Sequence, residues 1–273
     1  MSSLEHRLSK VSETLDRMHP SGLLYTTYEA RLLDQLDRSR LPQHVAVLAD
    51  GNRRWARLNA PGEPLVTGYE AGADRLREFC TWCDAVGTPI ITLWVLSTDN
   101  LQRAETGELG PLLKVIESLV DSLAANSRWR VQAVGDLDLL PDDMAESLCR
   151  AGRTSAGHVG MHINVAVAYG GRHELRDAFR SLLAEEAEKG TSLADLARTL
   201  EIDQIEDHLY TRGQPDPDLI IRTSGEQRLS GFLMWQSAHS EFYFCEALWP
   251  DFRKVDFLRA LRSFTQRERR YGR

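Results

Sequence analysis

A surplus of positive charge is missing from this chain. Lys and Arg number 33 against 40 Asp and Glu, a formal net charge of −7 at pH 7. That balance argues against general nucleic-acid binding, which runs on excess cationic side chains. Long apolar runs are missing too. The longest largely apolar stretch, around Ile90 to Leu96, falls far short of the ~20 residues that cross a bilayer. Met1 to Lys10 is polar, without the apolar core of a secretory signal, so a cytoplasmic location is expected. Cysteine is scarce, four in all, two of them in Cys80-Thr-Trp-Cys83. No second pair or nearby histidine completes a four-ligand zinc set, and Ala71 to Ala85 reads as an amphipathic helix, so these thiols are assigned to packing. His158 and His162 stand four apart at a turn-to-strand boundary, where that spacing does not place both on one face. Internal repeats, low-complexity tracts and domain linkers are likewise not evident.

What is present is a 273-residue chain, 42% hydrophobic and 27% charged, enough for one large α/β domain with a full core. Residues 1–41 read as an amphipathic helical extension and 42–273 as the main domain. Strands are predicted at Val45–Ala49, Ile90–Leu96, Arg130–Val134, Met161–Ala168, Leu219–Arg222 and Glu241–Phe244. Helices are predicted at Gly68–Ala85, Glu108–Ala125, Asp142–Ala151, Arg172–Lys189 and Val255–Arg267. Alternation of this kind predicts a mostly parallel sheet of about six strands with helices on both faces. Ligands of such sheets bind beyond the carboxyl ends of the strands, and Asp50, Ser97, Asn100 and Arg222 fall there. Thr191 to Asp207 is a polar, helix-prone connector.

Two segments carry the chemistry. In Asp218-Leu-Ile-Ile-Arg-Thr-Ser-Gly-Glu-Gln-Arg-Leu-Ser230 a short apolar strand stops at Arg222, and a turn of small residues then delivers Arg228 and Ser230. Two guanidinium groups, a hydroxyl and backbone amides at a strand's carboxyl end suit a multiply charged oxyanion such as diphosphate. Taken alone, the segment could be a surface turn with two solvated arginines. In His44-Val-Ala-Val-Leu-Ala-Asp-Gly-Asn-Arg-Arg-Trp55 a buried strand ends in Asp50, and a glycine turn opens a helix that carries Arg53 and Arg54. A helix N-terminus attracts phosphate. A carboxylate beside phosphate is repelled unless a cation lies between them, so Asp50 is assigned as a ligand of Mg²⁺ shared with the substrate. An Asp-Gly pair is more often only a turn; the conjunction of the two segments gives Asp50 its weight. Asp142-Asp143-Met-Ala-Glu146, which imitates an acidic metal cluster, follows Pro141 and is read as a helix start.

With these blocks in order, the chain resembles the cis-prenyltransferases, the undecaprenyl diphosphate synthase-like enzymes. The likeness runs from about His44 to the end, through Asp50–Trp55, Ser97-Thr98-Asp99-Asn100 with Arg103, Tyr169–Arg172, Asp218–Glu241, Trp249–Phe252 and Arg270-Tyr271-Gly272. The resemblance implies an α/β fold with an apolar substrate tunnel, and Mg²⁺-dependent condensation of isopentenyl diphosphate with an allylic diphosphate in cis (Z) configuration. It implies that Asp50 is metal ligand and catalytic centre. Gly51, Asn52, Arg53, Arg54 and Trp55 would hold the allylic diphosphate. Ser97, Thr98, Asn100 and Arg103 would position isopentenyl diphosphate and its proton loss, with Asn100 catalytic; Arg222, Arg228 and Ser230 would bind its diphosphate. Glu241 would help hold the metal across a homodimer interface, with Arg270 and Gly272 reaching into the partner's site. Apolar prenyl tails imply peripheral contact with a membrane surface.

The chain departs from the family pattern in places. Arg53 stands where Gly is usual, Tyr69 where His is common, and Asp99, Leu101 and Ala168 replace Glu, Trp and Asn; the usual Arg before Gly68 is missing, with Leu65 nearest. Long-chain members carry a small residue two positions before Ser97. Here Val95 and Leu96 fill that volume, as in the short-chain actinobacterial branch, which implies a Z,E-farnesyl product from geranyl diphosphate. The alternatives are a medium- or long-chain Z-polyprenyl synthase, a non-catalytic subunit of a heteromeric synthase, and an enzyme coupling two allylic diphosphates.

Overall fold

Short apolar strands dictate the architecture. The computed structural model describes residues 20–101 and 107–267; Arg103, Arg270 and Gly272 lie outside the described residues. In chain order the elements are α1 (Pro20–Asp34), β1 (His44–Leu48), α2 (Asn52–Asn59), α3 (Val66–Val86), β2 (Ile90–Trp94), α4 (Thr98–Leu101), α5 (Leu109–Ala124), β3 (Arg130–Val134), α6 (Asp142–Ser155), β4 (His162–Ala166), α7 (Gly171–Glu188), α8 (Leu193–Thr199), α9 (Ile202–Glu206), β5 (Leu219–Arg222), β6 (Glu241–Phe244) and α10 (Lys254–Gln266).

All six strands are parallel, in the order β3-β4-β2-β1-β5-β6. The chain builds one side of β1 first and then returns to the other side with β5. The order therefore reverses between β1 and β5, where doubly wound sheets open a crevice at their carboxyl edge. Continuous burial of β1, Val45 to Leu48, fits strands covered on both faces. Alternate residues of neighbouring strands (Ala46, Leu48, Val134, Ala166 and Ile220) join Tyr169, Phe232 and Leu233 in one buried cluster. Phe79, Trp249 and Phe252 form a second aromatic group, and the Trp249 indole donates to the Gly72 carbonyl at 2.9 Å.

The elements agree with the expected ones to within a few residues. The connector Thr191–Asp207 contains two short helices, α8 and α9, the first capped by Ser192, which accepts from Asp195 N. Cys80 and Cys83 are fully buried in α3, and burial pushes both thiols well up. Among the described residues there is no cluster of metal-ligating side chains around them.

Pro42–Phe252, which contains the sheet, is one compact unit; of the other described residues, 20–41 with 253–267 belong to another. Within the second, one face of α1 meets α10. The Arg253 guanidinium lies 4.9 Å from the Tyr25 ring centroid and donates to its hydroxyl, Arg259 lies over Tyr28, and Lys254 pairs with Glu29.

Candidate active site

The carboxyl ends of β1, β2 and β5 meet around a cavity of about 680 Å³ lined by Asp50, the start of α2, Ser97, Asn100, Arg222, Arg228 and Ser230. β1 delivers Asp50. Its next residue, Gly51, has φ of 113°, and a Cβ there would sit 2.9 Å from Leu248, so only glycine turns the chain into α2 at this point. The turn aims the first N–H groups of α2 towards the cavity end of the sheet.

β5 delivers Arg222, whose side chain is only 5% exposed, against 42% for Asp50. Nη2 of Arg222 donates to Asp50 Oδ2 at 3.1 Å. Nη1 donates to the Arg228 carbonyl and, at 3.2 Å, to Ser230 Oγ. Arg222 Nε is buried without a hydrogen-bond partner among the described residues. A buried donor without an acceptor is costly, and an oxyanion in the cavity would supply one. The loop after β5 is held in a strained backbone: Ser224 and Ser230 have φ of 77° and 51°, values non-glycine residues rarely adopt.

Five arginines line the cavity (Arg53, Arg54, Arg57, Arg222 and Arg228) against three carboxylates (Asp50, Asp99 and Glu226). Glu226 engages Arg228 at 2.6 Å and Arg53 lies 4.0 Å from Glu108, which leaves a cationic excess for a multiply charged anion. The carboxylates, Ser97 and Asn100 are hard oxygen donors. No trio of His, Cys, Asp or Glu converges among the described residues. Such a set fits a hard divalent cation that completes its shell with substrate oxygens and water.

The end of β2 and the residues that follow it, with α3 and α5, supply the apolar wall. Val95 N and Leu96 N both donate to the Ala166 carbonyl, at 3.1 and 3.2 Å, as the strand ends. Val95, Leu96, Trp94, Leu112 and Tyr69 then line the cavity's greasy side. The Ser97 hydroxyl accepts from Asn100 N at 3.2 Å, folding α4 so that both face the cavity.

Not every expected residue arrives. Trp55 donates its indole N–H to Asp251 at 2.8 Å, and Thr98 Oγ1 sits 3.4 Å from His173 Nδ1; neither lines the cavity. Glu241 is not brought to Asp50 within one chain. It opens β6 opposite Leu219, three residues, or about 10 Å, upstream of Arg222 along the strand direction. Arg57, Glu226, Trp94 and Leu112 line the cavity without having been singled out. Arg57 had a signal, lying one helical turn after Arg53 and Arg54 on the same face; the others had none.

A family model described as "Putative undecaprenyl diphosphate synthase" matches residues 48–272. The chain is 58% identical over 249 residues to (2Z,6E)-farnesyl diphosphate synthase of Thermobifida fusca, spanning 91% of this chain and 97% of that protein. It is 54% identical over 250 residues to isoprenyl transferase 1 of Streptomyces avermitilis, spanning 92% and 96%. Among solved structures it is similar to lavandulyl diphosphate synthase from Lavandula x intermedia in complex with dimethylallyl diphosphate. That likeness has a TM-score of 0.78 and 34% identity, and covers 86% of this chain and 100% of that one.

Proposed function

The chain belongs to the cis-prenyltransferase family, and from that premise we propose that it condenses isopentenyl diphosphate with an allylic diphosphate, geranyl diphosphate being the preferred primer, to give Z,E-farnesyl diphosphate. The observation that carries this reading is the Arg222–Asp50 contact at 3.1 Å, set between the N-terminus of α2 and the Val95–Leu96 wall. It joins a diphosphate seat, a carboxylate and an apolar tail pocket in one cavity. The relative from Thermobifida fusca, named (2Z,6E)-farnesyl diphosphate synthase, supports the product.

In the reaction the allylic C–O bond breaks and diphosphate leaves. The double bond of isopentenyl diphosphate forms the new C–C bond, and a proton is lost to set the new Z double bond. Backbone N–H groups of Asn52, Arg53 and Arg54, with the arginine side chains, receive the charge growing on the departing diphosphate. Arg222, Arg228 and Ser230 hold the diphosphate of isopentenyl diphosphate. Ser97 and Asn100 set the reacting carbons against each other, and the wall of Trp94, Val95, Leu96 and Leu112 keeps water from the cationic carbon.

Mg²⁺ fits the donor set: Asp50, aided by substrate phosphate oxygens, would hold it, and it supplies Lewis-acid neutralisation of the leaving group when bound. A homodimer that brings Glu241, Arg270 and Gly272 of each chain to the partner's site, a cytoplasmic location and contact with a membrane surface complete the reading. Among the described residues no helix is long and apolar enough to cross a membrane.

The test is incubation of purified protein with Mg²⁺, isopentenyl diphosphate and, separately, dimethylallyl, geranyl and E,E-farnesyl diphosphates, with products resolved by mass and double-bond geometry. A single Z addition to geranyl diphosphate is expected. No turnover with any primer, or product formed without isopentenyl diphosphate, would overturn the proposal.

A further inference from the structure

Tyr169-Gly170-Gly171-Arg172 is a sequence block to which the reaction above assigns no task, yet it sits between the two segments that would seat isopentenyl diphosphate. The backbone of Tyr169 is bound to the first of them. Tyr169 N donates to Leu96 O at 3.0 Å, Thr98 N donates to Tyr169 O at 3.1 Å, and Ser97 forms a parallel bridge with Tyr169. Its side chain is bound to the second. The phenol oxygen accepts from Leu233 N at 3.1 Å, three residues beyond Ser230, and Gly171 N donates to Gly231 O at 3.1 Å. A Cβ on Gly171 would come within 2.3 Å of that carbonyl, so the loop closes on α7 only at a glycine.

The phenol proton needs a fixed acceptor, and the fold provides a buried one. Tyr169 is fully buried and Glu174, in the first turn of α7, is 1% exposed. The phenol donates to Glu174 Oε2 at 2.5 Å. Glu174 Oε1 accepts from Tyr210 N and from Gln236 Nε2, each at 3.0 Å. Burial pushes the Glu174 carboxyl up while these three donors pull it back. Gln236 lies at the far end of the same loop, so Glu174 anchors the loop where Leu233 N does not. The loop needs anchoring because Ser230 and Leu233 have φ of 51° and 44°, a conformation that relaxes unless its surroundings impose it.

Resting on the function proposed above, we infer that Tyr169 and Glu174 are positioning residues. They form a buried clasp that fixes the Ser97–Asn100 turn against the Arg228–Ser230 loop, and so sets the seat of isopentenyl diphosphate rather than that of the allylic primer. The α2 end of the cavity, which takes the primer's diphosphate, hangs on β1 and is not held by the clasp.

The experiment compares Tyr169→Phe and Glu174→Gln with the wild-type full-length chain. It uses steady-state kinetics in both substrates, calorimetric titration with inorganic pyrophosphate, and circular dichroism. Tyr169→Phe leaves Leu233 N–H and Glu174 Oε2 without a partner, so KM for isopentenyl diphosphate is expected to rise by about ten- to a hundredfold. KM for the allylic primer should stay within about twofold, because its contacts lie on another element. Glu174→Gln, which keeps the Tyr210 and Gln236 acceptor but not the one for the phenol proton, should shift the same KM in the same direction by less. Equal rises in both KM values, or no rise in either folded variant, would overturn the clasp. Loss of the folded state in both variants would also overturn it, by making the pair a folding requirement. If the wild type binds pyrophosphate but does not elongate, the function proposal fails; weaker pyrophosphate binding in the variants then still supports the clasp, and unchanged binding sinks it.

Discussion

The hydroxyl of Thr223 grips the backbone of Asp50 from both sides, accepting from Asp50 N at 3.0 Å and donating to Asp50 O at 2.8 Å. Thr223 is fully buried and follows Arg222, the residue whose guanidinium holds the Asp50 carboxylate. One dipeptide at the end of β5 therefore fixes both the main chain and the side chain of Asp50, just beyond β1. Thr223→Val keeps the shape and deletes the grip. It should cost about 1–2 kcal/mol of stability, since Asp50 N and O each retain another partner. The same change should lower kcat by about tenfold through misplacement of the carboxylate. A thermal melt and a turnover assay check the two effects; a destabilised variant with wild-type kcat would show that the grip serves the fold alone.

Asp50 itself should be far less forgiving. Asp50→Ala is expected to lower kcat/KM by at least about a hundredfold, the scale on which single electrostatic groups act on a leaving anion. Chelation with EDTA should stop the wild-type enzyme and excess Mg²⁺ should restore it, whereas the alanine variant should gain little from added metal. Full elongation by Asp50→Ala would remove the carboxylate from the chemistry.

Val95 and Leu96 form part of the apolar wall, and Leu96 has no exposed surface. Replacing both by alanine removes volume beside the growing tail, so products longer than fifteen carbons should appear alongside or in place of farnesyl diphosphate. Mass analysis reads this directly. Unchanged chain length in an active double variant would move the stop to another part of the cavity, which Leu112 and Tyr69 also line.

A pH effect arises at the opposite, amino-terminal edge of the sheet. His162 opens β4 beside Arg130, and burial, followed by that guanidinium, pulls it down to about 4; burial also lowers His44. Both are held neutral in the fold but take a proton near pH 6.5 when unfolded. The unfolded state thus binds more protons below pH 6.5, and stability should fall as pH drops from there towards 4. Glu174, raised by burial, works in the opposite sense, contributing stability as it protonates. Comparing the melting temperature of wild type and His162→Asn between pH 7.5 and 5 isolates the histidine: the wild type should lose more. Parallel losses would clear His162 of a role.

Much of the site is legible in the sequence because its residues end or follow strands. Asp50, Ser97 and Arg222 were placeable from apolar runs ending in polar residues, and a parallel sheet gathers such ends on one edge. That logic does not reach Glu241, which opens β6 and so falls on the opposite edge of the same chain; its metal role was implied by the family resemblance, across a homodimer interface. Trp55 looked like part of the phosphate turn, but its indole follows Asp251, some two hundred residues away. No local pattern reveals that pairing. The Tyr169–Glu174 contact joins residues only five apart, yet its purpose depends on Leu233 and Gln236, which the sequence shows only as part of a loop. The pairing of α1 with α10 escapes for the same reason: each helix displays an amphipathic face, and nothing local names the mate.

The Asp50–Arg222 contact spans 172 positions, and the residues lie at the ends of adjoining strands, β1 and β5, that pair only after the chain has closed a very long loop. Slow, non-local pairing of this kind tends to come late in folding. A nascent polypeptide still lacking β5 would therefore hold Asp50 without the Arg222 guanidinium that contacts it. On the function proposed above, the seat for isopentenyl diphosphate is completed only once synthesis has passed Ser230, whereas the seat for the primer, at the start of α2, is made long before.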